Sequence, residues 1–335
     1  MMKELLKELC LADGVSGDEG AVRDLIISKV KDVCQYSIDD LGNLICFRKG
    51  RKAPKKKLMI CAHMDEVGFM VTYIRSDGTL RFDCVGGIDP SVVIGRRVKV
   101  GSNRISGVIG STAVHNLSKE QREKAPDIDS LYIDIGASSR EEAEKYVFLG
   151  DCVYFDAEFA ELGEHCVRSK AIDDRAGCAI MIKLMQEKPD YDTYFVFNVQ
   201  EEIGLRGSAV SSFSVAPDFA IVLEATTAAD IDGVTGEKRV CELGRGPVVS
   251  FMDKRTIYDK ELYRLAFDLA TCQTKTMIAG GNDAGSIHIS GKGVRTISVS
   301  VPCRYLHSPS SVIDMSDLVS SYKLVKNLSK RIPLL

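Results

Sequence analysis

The sequence predicts an α/β protein: a sheet covered by helices on both faces, assembled from two chain segments, with a small β domain inserted between them. Apolar strand runs at 58–62, 193–199, 219–223 and 296–301 alternate with helical patterns, the grammar of a parallel or mixed sheet covered on both sides. Between Val67 and Glu164 this gives way to short β-rich runs separated by glycines, with little long helical periodicity. A length of 335 residues accommodates two such bodies. The boundaries expected are 1–66 plus 165–335 for the α/β domain and 67–164 for the insertion.

Each element has a local reason. Leu5, Leu6 and Leu9 share one side of an opening amphipathic helix, and the turn 14–20 leads into a second helix over 21–33. Strands follow at 43–47 and 58–62, joined by a stretch in which seven of the ten residues from Arg48 to Lys57 are basic. Gly50 and Pro54 break any helix there, so this stretch reads as a solvated hairpin tip. No aromatic side chains interleave with its charges, which argues against a nucleic-acid surface. The insertion carries strand runs at 68–74, 97–100, 107–109 and 152–155. Helices are then expected at 174–187, 260–271 and 315–329, between and after the remaining strands.

Composition excludes several classes. With 44 Lys plus Arg against 47 Asp plus Glu, no global positive field exists to attract nucleic acid or anionic lipid. No run approaches the roughly 18 apolar residues of a membrane span, and the opening helix lacks the uninterrupted apolar core of a secretory signal. The eleven cysteines are scattered, odd in number and form no CxxC pair, so they read as reduced, mostly buried thiols of a cytoplasmic protein.

Residues capable of chemistry collect where predicted strands end. AHMDEVG places His63 and Asp65 after one strand, QEEIGLRG places Glu201 and Glu202 after another, and Glu224 and the RYLHSP residue His307 follow two more. SKAIDDRAG puts Asp173 and Asp174 at the start of a helix, where one of them is suited to cap it. Open α/β sheets place their sites at such strand ends. Several carboxylates converging on one cleft repel one another unless cations lie among them. Imidazole plus carboxylate, without thiolate spacing, suits zinc, cobalt or manganese. Asp173 is the candidate bridge between two ions, and Asp65 is placed to orient the second ring nitrogen of His63.

In this order AHMDEVGFMV, SKAIDDRAGCAI, VQEEIGLRGS, the strand ending in Glu224, GGNDAGSIH and RYLHSPSSVID resemble the motif series of the M42 family of dinuclear metallo-aminopeptidases. That family includes glutamyl and tetrahedral aminopeptidases, some of them labelled endoglucanases. The likeness extends from GVSGDEG through DDLGN to the His307 loop. It implies a three-layer α/β/α zinc-peptidase-like catalytic domain, with the inserted β domain serving subunit assembly from dimers to dodecamers. It implies two divalent ions, one held by His63, Asp173 and Glu224 and the other by Asp173, Glu202 and His307. Glu201 would be the general base acting on a metal-bridging water, and Asp65 would support His63; short peptides are the implied substrates.

Two positions depart from the family pattern. Glu224 stands where Asp is frequent, with Asp218 and Asp230 as fallback ligands, and Asn282 stands where Thr is more usual. His115, His165 and His288 read as structural. Two other functions compete with the peptidase. A retaining glycoside hydrolase needs carboxyl groups about 5 Å apart across a sugar, whereas Glu201 and Glu202 are consecutive, and no Trp offers a stacking platform. A non-catalytic scaffold with a degenerate site is opposed by the apparently complete ligand set.

Overall fold

The computed structural model describes residues 2–335, the side chain of residue 121 excepted. Its main sheet has eight strands, in the order Gln35–Ile38, Leu44–Arg48, Thr193–Asn198, Leu58–His63, Phe219–Thr227, Arg295–Cys303, Val248–Val249 and Gln273–Thr274. The four central strands are parallel, so Asn198, His63, Glu224 and Ser300 lie along one edge, toward the strands' C-terminal ends.

Two-residue alternation explains why these strands are apolar throughout. Leu58, Ile60 and Ala62 enter the larger core cluster, whereas Met59 and Cys61 enter a second cluster on the opposite face. Ile221 and Leu223 divide from Ala220 and Val222 in the same way. The larger cluster receives Leu6 and Leu9 of the helix Met2–Leu11, most of Ile172–Met185, and Leu318, Leu324 and Leu328 of Met315–Arg331. The other face receives Val215 of Arg206–Val215 and both Ala284 and Ile287 of Ala284–Ile287. Helices therefore cover both sides, giving three layers.

A second body is a closed six-stranded barrel formed from Gly68–Ile74, Leu80–Val85, Tyr132–Asp134, Ile105–Gly110, Arg97–Val100 and Cys152–Phe155. Phe69 sits at its centre, with edge-on rings of Phe82 and Phe155 at 5.0 and 5.3 Å. A three-stranded sheet, Ala160–Leu162, Cys166–Ser169 and Ser311–Asp314, then returns the chain to the helix Ile172–Met185.

The basic stretch is not a hairpin tip. Thr193–Asn198 lies between Leu44–Arg48 and Leu58–His63, antiparallel to the first and parallel to the second. The basic segment therefore crosses over one strand, with the Arg51 and Lys52 amides donating to Pro189 and Asp190 carbonyls. The helix Arg206–Val215 escaped the sequence pattern because its buried face is Gly207, Ser208, Ser211 and Ser212 in addition to Val215. Those serines are satisfied within the fold: Ser211 donates to Asn198 at 2.7 Å, and Ser208 and Ser286 pair at 2.5 Å. All eleven cysteines are free thiols, six of them buried.

Gly207 marks the tightest packing beside the strand ends, since a Cβ there would stand 2.3 Å from the Val199 carbonyl oxygen and 2.4 Å from Asn43 Oδ1. Gly207→Ala is therefore expected to destabilise the fold by about 2–3 kcal/mol, the usual cost of forced overpacking. An unchanged urea midpoint in that variant would contradict this packing.

Candidate metal centre

Five chain segments bring their acids and imidazoles to the sheet edge described above. His63 ends a fully buried strand and is 1% exposed. Its Nε2 faces Asp173 Oδ1 at 3.4 Å and Glu224 Oε2 at 3.7 Å. His307 Nε2 faces Asp173 Oδ2 at 3.5 Å and Glu202 Oε2 at 3.4 Å. Asp173 thus turns one carboxylate oxygen to each imidazole. Donor atoms of His63, Asp173 and Glu202 also lie mutually within 4.8 Å.

These separations exceed a charge-assisted hydrogen bond of about 2.7–2.9 Å. Two donors each about 2.0–2.1 Å from one tetrahedral zinc stand about 3.4 Å apart, so the spacing fits atoms that share a cation. Glu224 Oε1 is buried with no hydrogen-bond partner among the described residues, which also fits a ligand oxygen. The donor set is imidazole and carboxylate, suited to zinc, cobalt or manganese.

Electrostatics point the same way. Burial pushes the Glu201 and Glu224 carboxyls well above the usual range, with neighbouring acids adding to it. Burial also pushes Glu202 up to about 7, against the opposing pull of His307. For Asp173 burial acts upward, but the neighbouring imidazoles of His307 and His63 outweigh it and hold the carboxyl low. Burial alone would lower both imidazoles; adjacent acids reverse this, raising His63 well above its ordinary value and His307 to about 9. Protons and imidazolium charge are thus recruited to balance buried carboxylates, a task that divalent cations perform better.

The supporting contacts explain how consecutive acids take different positions. Asp65, fully buried, accepts from the amides of Glu201 and Glu202 at 3.0 and 3.1 Å and from the Ser16 hydroxyl at 2.6 Å. Its carboxylate also lies 3.4 Å from His63 Nδ1, and its carbonyl oxygen 3.1 Å from the same nitrogen. Asp65 therefore anchors the Glu201–Glu202 turn as well as His63. Asn43 Nδ2 donates to Gly207 O, and its Oδ1 accepts from Val199 N, tying that turn to the loop before Leu44–Arg48. Sequence reasoning missed Ser16, Asn43 and this second role of Asp65; the available signal was polar residues in the glycine-bearing segments GVSGDEG and DDLGN.

Asp174 does act as a cap, accepting from the Gly177 amide at 2.9 Å, and its peptide bond with Asp173 is cis. Asp218 lies at the opposite end of its strand, bonded to Lys57 N, and Asp230 is paired with Arg304, so neither fallback ligand approaches the site. His115 and His165 are exposed, and His288 bonds Ala284 O within its own short helix. Of the eight described non-glycine residues with positive φ, five lie in these loops: Ala171, Gln200, Leu205, Tyr305 and His307. Such left-handed conformations cost roughly 1–2 kcal/mol each and cluster where function over-determines the backbone.

A cavity of about 530 Å³ opens beside Asp173, Glu201, Glu202, Glu224 and His307. Its wall also carries Asp253, Arg255, Lys275 and Asn282. Asp253 is fully engaged by the amides of Arg255 and Thr256 and the Tyr258 hydroxyl. Asn282 is likewise engaged, by Tyr258, Ala284 N and Ser298.

The family model for M42 glutamyl aminopeptidase matches residues 42–324. The chain belongs to the M42 family. Among its relatives, a putative aminopeptidase of Acetivibrio thermocellus is 41% identical over 97% of both chains. An aminopeptidase structure from the archaeon Desulfurococcus kamchatkensis superposes with a TM-score of 0.93 at 36% identity, covering 98% of this chain and 94% of that one. The TET1 peptidase of Pyrococcus horikoshii, described as assembling into a tetrahedron or a large octahedral shell, gives 0.87 at 33% identity, over 98% and 99%. Membership makes this M42 chain a peptide-bond hydrolase of a metal-dependent family.

Replacing Asp65 by Ala strips a buried acceptor from two amides and a hydroxyl. A loss of about 3 kcal/mol in unfolding free energy is expected, the range for an orphaned buried polar network. Denaturant titration of this variant checks it; a loss below 1 kcal/mol contradicts the anchoring role.

Proposed function

We propose that this chain is a dinuclear metallo-aminopeptidase that releases N-terminal residues from short peptides. The observation that carries the reading is Asp173, one oxygen toward each imidazole at 3.4 and 3.5 Å. Two divalent ions, zinc or cobalt first and manganese also compatible, would be held by His63, Asp173 and Glu224 and by Asp173, Glu202 and His307, and when bound they polarise the scissile carbonyl and acidify the attacking water. Glu201 faces the same cavity but lies outside both ligand sets, and burial pushes its carboxyl upward. A carboxylate so tuned accepts a proton from water and passes one to the departing amine. Asp65 is the positioning residue: it fixes His63 and the amides that carry Glu201 and Glu202.

The cavity's charge supports a substrate preference. Arg255 and Lys275 line the cavity, the Lys275 ammonium donating to the Ala279 carbonyl oxygen at 3.4 Å, whereas Asp253 is occupied by three donors. This favours an acidic first residue. Self-association through the insertion 67–164 is the accompanying reading, supported by Val114, Phe148 and Leu149, each about two-thirds exposed. The free thiols support a reducing, cytoplasmic compartment. No helix among the described residues is long and apolar enough to cross a membrane.

Exhaustive chelation is expected to abolish aminoacyl-p-nitroanilide hydrolysis, with zinc or cobalt restoring it; full activity in metal-free protein refutes the mechanism. Glu201→Gln should lower kcat about a thousandfold while both ions remain bound. Metal loss in that variant would instead make Glu201 a ligand. Lys275→Ala should reduce kcat/KM for glutamyl-p-nitroanilide about tenfold and leave the leucyl substrate unaffected. Equal effects on both substrates would remove the acidic preference.

A further inference from the structure

The two histidines are held in different ways. His63 Nδ1 is fixed by Asp65, two residues along in the same segment. His307 stands on a loop at φ +55, about one-third exposed, and its Nδ1 meets the carbonyl oxygen of Gly87 at 2.8 Å. Gly87 is the second residue beyond the barrel strand Leu80–Val85, 220 positions away in sequence. A carbonyl oxygen accepts and cannot donate, so this contact puts the ring proton on Nδ1. In the neutral ring that a metal ligand requires, Nε2 is then left as the lone pair toward Asp173 and Glu202.

The neighbouring Gly86 has φ +86. A Cβ built there would lie 2.8 Å from Val67 Cγ1 and 3.2 Å from the Cβ of Glu202. One barrel loop therefore bears on both His307 and Glu202. His63, by contrast, is held from within its own segment, by Asp65.

We propose that the Gly86–Gly87 loop of the barrel is a positioning element of the metal centre: the Gly87 carbonyl sets the tautomer and direction of His307, and the bare backbone at Gly86 lets the barrel close against Glu202. The inference rests on the reading of His307 and Glu202 as ligands. On it, one of the two ion sites is built across the junction between barrel and sheet, and the other belongs to the sheet alone.

The test is a zinc titration of metal-stripped protein against a competing chelator, which counts ions and their affinities independently of turnover. In Gly86→Ala one zinc should bind as in the parent chain and the other about 10–100-fold more weakly, the usual loss on disturbing a ligand's support. His307→Ala separates the two levels of the argument. If it binds two zinc ions as tightly as the parent, the ligand assignment falls. If it loses one while a folded Gly86→Ala loses none, or weakens both alike, the assignment stands and the positioning role falls. Should Gly86→Ala fail to fold, magic-angle-spinning NMR of the zinc-loaded parent labelled with ¹⁵N-histidine decides, since the chain has five histidines. A protonated Nδ1 on His307 upholds the contact; a protonated Nε2 overturns it.

Discussion

Buried negative charge is the constraint on which this architecture turns. Parallel strands covered on both faces end at a crevice, and here Asp65, Asp173, Asp174, Glu201, Glu202 and Glu224 gather in or just behind it. Carboxylates taken from water in such numbers stay ionised only if something positive compensates them. Part of the compensation comes from the protein: amides of Glu201, Glu202 and Gly177 point at Asp65 and Asp174. What amides cannot supply is net charge. The orphaned oxygen of Glu224 and the imidazoles held 3.4–3.7 Å from their acids are the residue of that deficit.

The strand ends were legible in the sequence because the physics that buries a strand on both faces also makes it visibly apolar. A His or Glu that follows such a run is then conspicuous, and although none of His63, Glu201, Glu202 and Glu224 is decisive singly, their convergence on strand ends marks the site, with Asp173 as the candidate bridge. Their ordering along one sheet edge follows from parallel pairing: His63 lies opposite Asn198, and Glu224 opposite Ser300. The motif resemblance divides the candidate ligands into two sets with Asp173 common to both, and Asp173 turns one oxygen toward His63 and the other toward His307.

Other features were illegible for stated reasons. Strand order is a long-range property, so two runs separated by a basic loop looked like a hairpin until Thr193–Asn198 was found between them. A helix whose inner face is mostly glycine and serine has no apolar stripe to read, although Ser208 and Ser211 are as buried as any leucine. The support given by Gly87 to His307 resides in a backbone carbonyl, which every residue possesses and no motif can flag. Asp65 was legible as a partner of His63 through its spacing, but its hold on the Glu201–Glu202 turn depends on tertiary contact.

Charge and strain at this site have one consequence in common. Left-handed residues at Ala171, Gln200, Leu205, Tyr305 and His307 hold the loops in conformations that a free chain would leave. A second buried cluster lies just behind them, where Lys170 bonds Glu66 and the guanidinium of Arg175 donates to the carbonyls of Leu9 and Ala12. These contacts fasten the N-terminal segment to the residue next to Asp65, so the anchor of the acidic turn is itself held by charge from a third part of the chain. On the proposed assignment, rigidity of that kind is what lets consecutive glutamates serve different ends, because only a fixed backbone would keep Glu201 out of the ligand set that Glu202 joins. Conformational freedom given up in the loops would then separate two chemically identical side chains, leaving one as a proton acceptor beside the binding site formed by the other.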